Sequence, residues 1–305
     1  MASNRTSKNP KKKLESLLRL AVEHSGKDDE PTNTKPEETD EKRMSFLQSA
    51  LKAMTGDDLE AALLILRTES TTLEQKIDSL DLIRDKISDI DMANSFVKIG
   101  GAALLLQYIR TPDNTFRQQS IYIVAEMAQN NEFCQNYFYK EQIIPVLTTT
   151  MNDADEDVAK GSIYAVSSLI QNYPPGLKEF LGTKGIQTLV ACLKSDHKSV
   201  YIKAAFLIGS LASRENSIRD HINKQNAVSI LLNNLENKNE YDDKLDATLR
   251  ALSALSVSCK WSSTRDQNTT AEITLKEISN NKELLDSCEE MGNFAQTILK
   301  NMSAK

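Results

Sequence analysis

The sequence predicts an all-α, right-handed solenoid with helical caps at both ends, and three observations carry that expectation. From Phe96 to Leu235 it repeats every 42 residues: Phe96, Phe138, Phe180 and Ile222 form one apolar column, Leu105, Leu147, Leu189 and Leu231 a second, and Ile109, Met151, Leu193 and Leu235 a third. A unit of that length cannot bury its own apolar face, so copies stack and share a continuous core. Glycine (10) and proline (7) are scarce in 305 residues, and apolar residues nowhere alternate at period two for long, which points to helices joined by short turns. The segments on either side of the repeats lack the period, as end units must, because one of their faces meets water.

Residues 1–40 read as a mobile tail carrying a short amphipathic helix over 14–25, where Leu14, Leu17, Leu18, Ala21 and Val22 share one face before Gly26. The linker Lys27–Lys42 is built from Asp, Glu, Thr, Lys and Pro with no apolar anchor. Residues 41–75 supply capping helices: Phe46, Leu47, Ala50, Leu51 and Met54 mark one that Thr55-Gly56 stops, and Leu59–Arg67 the next. Thr71 with Glu74, and Thr72 with Gln75, offer overlapping capping boxes for a helix through Leu73, Ile77, Leu80, Ile83, Ile87 and Ile90.

Residues 76–258 hold the repeats, three helical pieces to a unit. The third piece is the most legible, with Ser120-Ile121-Tyr122, Ser162-Ile163-Tyr164 and Ala204-Ala205-Phe206 in step at 42 and Thr248–Leu255 following after 44. Thr115 with Gln118 suggests another capping box, and Asp153, Asp155, Glu156 and Asp157 crowd one helix start. That acidic run resembles a calcium loop, but Val158 stands where the loop needs Gly and Tyr164 where it needs Glu, so dipole compensation is the better reading. Residues 259–305 should form a loop from Cys259 to Thr270 around Trp261, a helix over Ala271–Ile278, and a final helix from Lys282. In that last helix Leu284, Cys288, Met291, Ala295, Ile298 and Met302 keep a helical spacing.

Composition narrows the function. A formal net charge of −6 disfavours nucleic acid as a partner, and the basic run Lys8, Lys11, Lys12, Lys13 reads as a solvated tail. Cys134, Cys192, Cys259 and Cys288 lie far apart without a CxxC pair, as structural thiols of a reducing compartment do. No uninterrupted apolar run makes a secretory signal, since Arg19 breaks the N-terminal stripe, and none is long enough for a membrane span, so a cytoplasmic monomer is expected, with the nucleus as a second location. His24, His197 and His221 have no carboxylate or cysteine at a triad or metal spacing, and Gly100-Gly101 is too short to cradle a phosphate. Neither catalysis nor a cofactor or metal is expected.

The unit formed by a short helix, then Gly185–Leu193 (Gly-Ile-x-x-Leu-Val-x-x-Leu), then Ala204–Ala212 (Ala-Ala-Phe-Leu-Ile-Gly-Ser-Leu-Ala) resembles an armadillo repeat. More narrowly, the chain is similar to the heat-shock-protein-binding-protein family, the cytosolic nucleotide-exchange factors of seventy-kilodalton heat-shock chaperones. The resemblance rests on Leu80-Asp81-Leu82-Ile83 running into Asp91-Met92-Ala93-Asn94-x-Phe96, on Lys203–Leu207, on Leu17-Leu18-x-Leu20-Ala21 before a linker, and on Glu283-Leu284 through Cys288-Glu289. It implies a curved armadillo stack whose concave face embraces one lobe of the chaperone's ATPase domain and displaces the other, so that ADP leaves. It also implies that Lys203 and Ala93 matter for chaperone binding, that polar and aromatic residues of the third helices (Tyr122, Glu126, Tyr164, Phe206) line the contact face, and that Leu17, Leu18, Leu20 and Val22 engage the chaperone's substrate-binding domain to help release client. The alternative is an armadillo adaptor that grips basic peptides, as in nuclear import, on a ladder of Trp and Asn. Here Tyr122 with Glu126, Tyr164 with Ser168, and Phe206 with Ser210 stand at those places, and the ladder is missing.

Overall fold

A computed structural model describes residues 58–257, 261 and 263–303. The segment 14–25, with Leu17, Leu18, Leu20 and Val22, and the helix expected near Phe46 lie outside the described residues. The protein is all-α, and among the described residues no strand occurs. The chain divides into two compact units at Thr111/Pro112.

In the first unit, α1 (Asp58–Arg67) and α2 (Leu73–Lys86) pack together, followed by α3 (Ile90–Lys98) and α4 (Gly101–Tyr108). Leu59, Leu63, Leu66, Leu80 and Ile83 make the core between the first two. Of the two capping boxes expected before α2, Thr72–Gln75 forms, with Gln75 N–H donating to Thr72 Oγ1 at 3.3 Å and Thr72 N–H to Gln75 Oε1 at 2.8 Å. Thr71 instead donates its hydroxyl to the carbonyls that end α1, Ile65 at 2.8 Å and Thr68 at 2.6 Å. The Tyr108 hydroxyl reaches the Leu66 carbonyl at 2.9 Å and Lys86 pairs with Asp58 at 2.6 Å, tying the last and second helices to the first. Gly100, at φ 82°, turns the chain into α4, and at Gly101 an added Cβ would stand 2.2 Å from the Phe96 ring, so the column phenylalanine needs a bare backbone beside it.

The second unit repeats a short, short, long pattern: α5 (Asn114–Ala128), α6 (Glu132–Lys140), α7 (Ile143–Thr150), α8 (Glu156–Ile170), α9 (Pro174–Gly182), α10 (Gly185–Cys192), α11 (Lys198–Ala212), α12 (Asn216–Lys224), α13 (Ala227–Leu232) and α14 (Asp243–Ser256). Helices α15 (Arg265–Asn280), α16 (Lys282–Ser287) and α17 (Glu289–Ser303) follow, with α17 packed on both α14 and α15. The three columns are its core: Phe138, Phe180, Ile222, Leu147, Leu189, Leu231 and Met151 have no exposed surface, and Leu193 and Leu235 are buried. The long helices stack directly, α5 on α8, α8 on α11, and α11 on α14.

Each junction between long helices carries a polar tie from the first residue of one helix to the cap region of the next. Asn114 donates to Asp155 at 3.1 Å, Glu156 accepts from Ser199 at 2.5 Å and lies 3.3 Å from His197 Nδ1, and Lys198 pairs with Asp242 at 2.8 Å. Arg117 adds an ion pair to Asp153. The acidic run therefore caps α8 through Asp155, which accepts from the backbone of Asp157 and Val158, and it spends Asp153 on the neighbouring helix.

Four local expectations need correction. The helix expected to run through Ile90 ends at Lys86, and Ile90 opens α3 behind the Asp89 cap. Asp113, not a Thr115–Gln118 box, caps α5: its carboxylate accepts from Thr115 N at 2.9 Å and Phe116 N at 3.2 Å, which puts Thr115 inside the helix. The stretch expected as loop up to Thr270 is helical from Arg265, because Thr264 and Gln267 form a capping box and Gln267 also bonds Ser229 and Asn233. The single helix expected from Lys282 breaks at Cys288, which adopts an extended conformation between α16 and α17.

Candidate docking face

Stacking the long helices in a constant register lines up one position from each. Tyr122 on α5, Tyr164 on α8, Phe206 on α11 and Arg250 on α14 occupy it, at steps of 42, 42 and 44 residues. Tyr122 and Tyr164 are half-buried and their rings meet at 6.3 Å between centroids, tilted by 52°. Gly161 makes room for that contact, since a Cβ there would lie 3.1 Å from Tyr122 Cε2 and 3.2 Å from Ile121 Cγ2. The Tyr164 hydroxyl donates to Gln129 Oε1 at 3.1 Å. Lys203, exposed on α11, holds its ammonium 5.4 Å from the centre of the Tyr164 ring, a cation–π contact worth about 0.5–1 kcal/mol at an exposed site. Phe206, one turn further along the same helix, is 41% exposed.

Of the residues expected at the contact, Tyr122, Tyr164, Lys203 and Phe206 thus share one surface of the second unit, and half-buried Glu126 lies one turn beyond Tyr122. At the positions matching Glu126, Ser168 is buried and Ser210 exposed. Ala93 is a different case: it lies on α3 of the first unit and is 1% exposed, a packing position, so a larger side chain there would disturb α3 before it met any partner.

Two cations near this face are paired with carboxylates. Lys160 pairs with Asp157 at 2.6 Å, and that hydrogen bond, helped by the nearby Tyr122, raises its pKa against a smaller effect of burial. Arg250 is raised too, chiefly by its hydrogen bonds to Asp246 and then to Glu290, with burial working against them. Arg250 was not expected as part of the face: the 44-residue step to Thr248–Leu255 reaches it, but the candidate contacts followed the aromatic positions, which stop at Phe206. Following the long-helix register past Phe206, rather than a fixed period, is the signal that finds it.

Away from the face, Cys134, Cys192 and Tyr201 are buried in the packing. Burial pushes the Cys134 and Cys192 thiols up to about 12, and the Tyr201 phenol to about 12 although Thr248 shares its proton at 2.8 Å. Among the described residues no group of His, Cys, Asp and Glu is arranged to hold a metal ion, and no helix is long and apolar enough to cross a membrane.

Two tilted tyrosine rings, an exposed phenylalanine and flanking cations, carried on a row of repeat helices, make a face of the kind by which repeat proteins bind other macromolecules. The chain belongs to the Fes1/SIL1/HPBP1 family: the profile described as "Nucleotide exchange factor Fes1" matches residues 14–96 and that described as "SIL1/FES1/HPBP1 C-terminal domain" matches residues 92–230. Among its relatives are the "Hsp70 nucleotide exchange factor FES1" of Coccidioides immitis and the "Hsp70-binding protein 1" of Homo sapiens. The first is 27% identical over 54% of this chain and 81% of its own length. The second is 24% identical over 66% of this chain and 60% of its own length. The backbone has the armadillo-repeat fold, superposing on the "Designed armadillo repeat protein YIII(Dq)4CqI" with a TM-score of 0.63 at 15% identity, over 80% of this chain and 99% of that one.

Proposed function

We propose that this chain is a nucleotide-exchange co-chaperone: it binds an Hsp70 chaperone on the ATPase domain and accelerates ADP release without hydrolysing ATP itself. The observation that carries this reading is the family match running from residue 14 to residue 230, which spans Tyr122, Tyr164, Lys203 and Phe206. The exposed phenyl of Phe206 between polar and cationic neighbours supports these side chains as the contact, as an aromatic anchor inside a polar rim is what binding hot spots use. The protein acts in the cytoplasm as a monomer. Leu17, Leu18, Leu20 and Val22 fall within the matched stretch and compete for the chaperone's substrate-binding domain, which keeps released client from rebinding.

The test mixes the full chain with an Hsp70 ATPase domain carrying labelled ADP. Release should accelerate, and by linkage saturating ADP should weaken binding of this chain by the factor by which the chain weakens ADP. An unchanged release rate refutes the assignment. A chain lacking residues 1–40 should exchange nucleotide as before while releasing a labelled unfolded client more slowly, and unchanged client release would remove the role of the tail.

A further inference from the structure

Arg250 stands where the three preceding long helices carry Tyr122, Tyr164 and Phe206, and its surroundings are of two kinds. On one edge the guanidinium Nε donates to both oxygens of Asp246, at 3.0 and 2.8 Å, and the Asp246 side chain is only 4% exposed. On the other edge Nη2 and Nη1 meet the Glu290 carboxylate of α17 at 2.7 and 3.3 Å, and the Glu290 side chain is 56% exposed. The Phe294 ring, 4.9 Å away, backs the guanidinium plane. A buried carboxylate that grips one edge and an aromatic ring under the face hold a guanidinium in a fixed orientation. The Glu290 pair on the remaining edge is two-pronged but lies at the surface, where solvation and salt screening limit what it contributes and a partner can reach it. Gly209 lets α14 come close to α11, since a Cβ there would lie 3.3 Å from Ala251 Cα and 3.6 Å from the Arg250 carbonyl carbon. Lys203 and Arg250 therefore bracket the exposed Phe206.

We infer that Arg250 is a carboxylate-binding position of the docking face, that an acidic side chain of the chaperone partner takes the outer edge of its guanidinium, and that Glu290 occupies that edge until the partner arrives. The inference rests on the docking reading above. It makes the recognised surface an apolar spot flanked by carboxylates, and it makes α17 a built-in competitor.

The test measures binding of the full chain to an Hsp70 ATPase domain for the wild type, Glu290→Gln, Arg250→Gln and the double variant. Glu290→Gln should tighten binding by about threefold to fivefold, the worth of one exposed ion pair. That gain should shrink as salt is raised. Arg250→Gln should weaken binding by about tenfold, as loss of a charge-assisted hydrogen bond does, and in its background Glu290→Gln should change nothing. An unchanged or weakened affinity for Glu290→Gln, or a gain that persists without Arg250, overturns the inference while leaving the docking reading intact. Absence of binding by the wild type refutes both. Should Arg250→Gln fail to fold, the exposed Glu290→Gln variant still decides the question through the sign of its effect.

Discussion

Phe206→Ala separates a docking residue from a packing residue on one side chain. Fully covering a phenylalanine buries about 200 Å², and 41% of Phe206 is still open to solvent. About 80 Å² of apolar surface is therefore available to a partner, which at about 25 cal/mol per Å² is about 2 kcal/mol, or about thirtyfold in dissociation constant. The remaining three-fifths of the side chain already packs on the helical face, so the same substitution lowers folding stability by up to about 3 kcal/mol. The two effects are read apart by titrating an Hsp70 ATPase domain well below the melting temperature and following thermal unfolding of the free chain by circular dichroism. The expected result is a large loss of affinity in a chain that is still cooperatively folded. A dissociation constant within about threefold of the wild type, with the stability loss present, would show that the ring serves packing alone and that the partner contacts another surface.

Three further outcomes follow from the same coordinates. A double-mutant cycle of Lys203→Ala and Tyr164→Leu, read by chemical denaturation, should give a coupling of about 0.5–1 kcal/mol, and zero coupling would contradict the cation–π contact. With the Cys134 and Cys192 thiols held near 12 by burial, both should resist alkylation at pH 8 until the chain is denatured, checked by peptide mass mapping; equal labelling rates folded and unfolded would refute their placement. Burial raises the Glu179 carboxyl, one oxygen of which is buried without a hydrogen-bond partner among the described residues, so the neutral form favours folding: its contribution is complete below the ordinary value of 4.5 and is lost as pH rises through the higher folded value. Glu179→Gln should therefore raise the melting temperature at pH 7, by about 2 °C, and the gain should vanish by pH 4; a gain of equal size at both pH values would reject this account.

Much of this could be read before any coordinates were known, and the reason lies in what periodicity measures. Phe138, Phe180, Leu147 and Leu189 recur because each fills the same layer of a stacked core, so their spacing reports burial directly, and all are fully buried. Turn chemistry left a weaker trace. Gln142 and Asn226 enter α7 and α13 in the left-handed region, at φ 53° and 62°, without the glycine that most plainly marks such a turn. The first turn of α15 is polar on every side and so has no period, although its Thr264–Gln267 box was visible. The break at Cys288 escaped because Leu284, Cys288 and Met291 keep helical phase across it. At the face, register aligned Tyr122, Tyr164 and Phe206, whereas Lys203 and Ala93 came only from the family resemblance, and the burial of Ala93 was not legible because a helical alanine carries no mark of which way it points.

The ties between successive long helices also protect the order of the chain. Units that look alike can pair with the wrong neighbour during folding, and a core of interchangeable Leu, Ile and Phe does little to forbid it. Each junction here carries a different chemical key: an amide to Asp155, a carboxylate to Ser199 and His197, an ammonium to Asp242. If the unit carrying α11 were skipped, Glu156 would face Asp242, carboxylate against carboxylate, and if the unit carrying α8 were skipped, Asn114 would meet His197 in place of an acid. A mispaired array loses a contact or gains a repulsion at the seam, so correct succession is written in the first residue of each long helix, apart from the apolar columns that hold the array together.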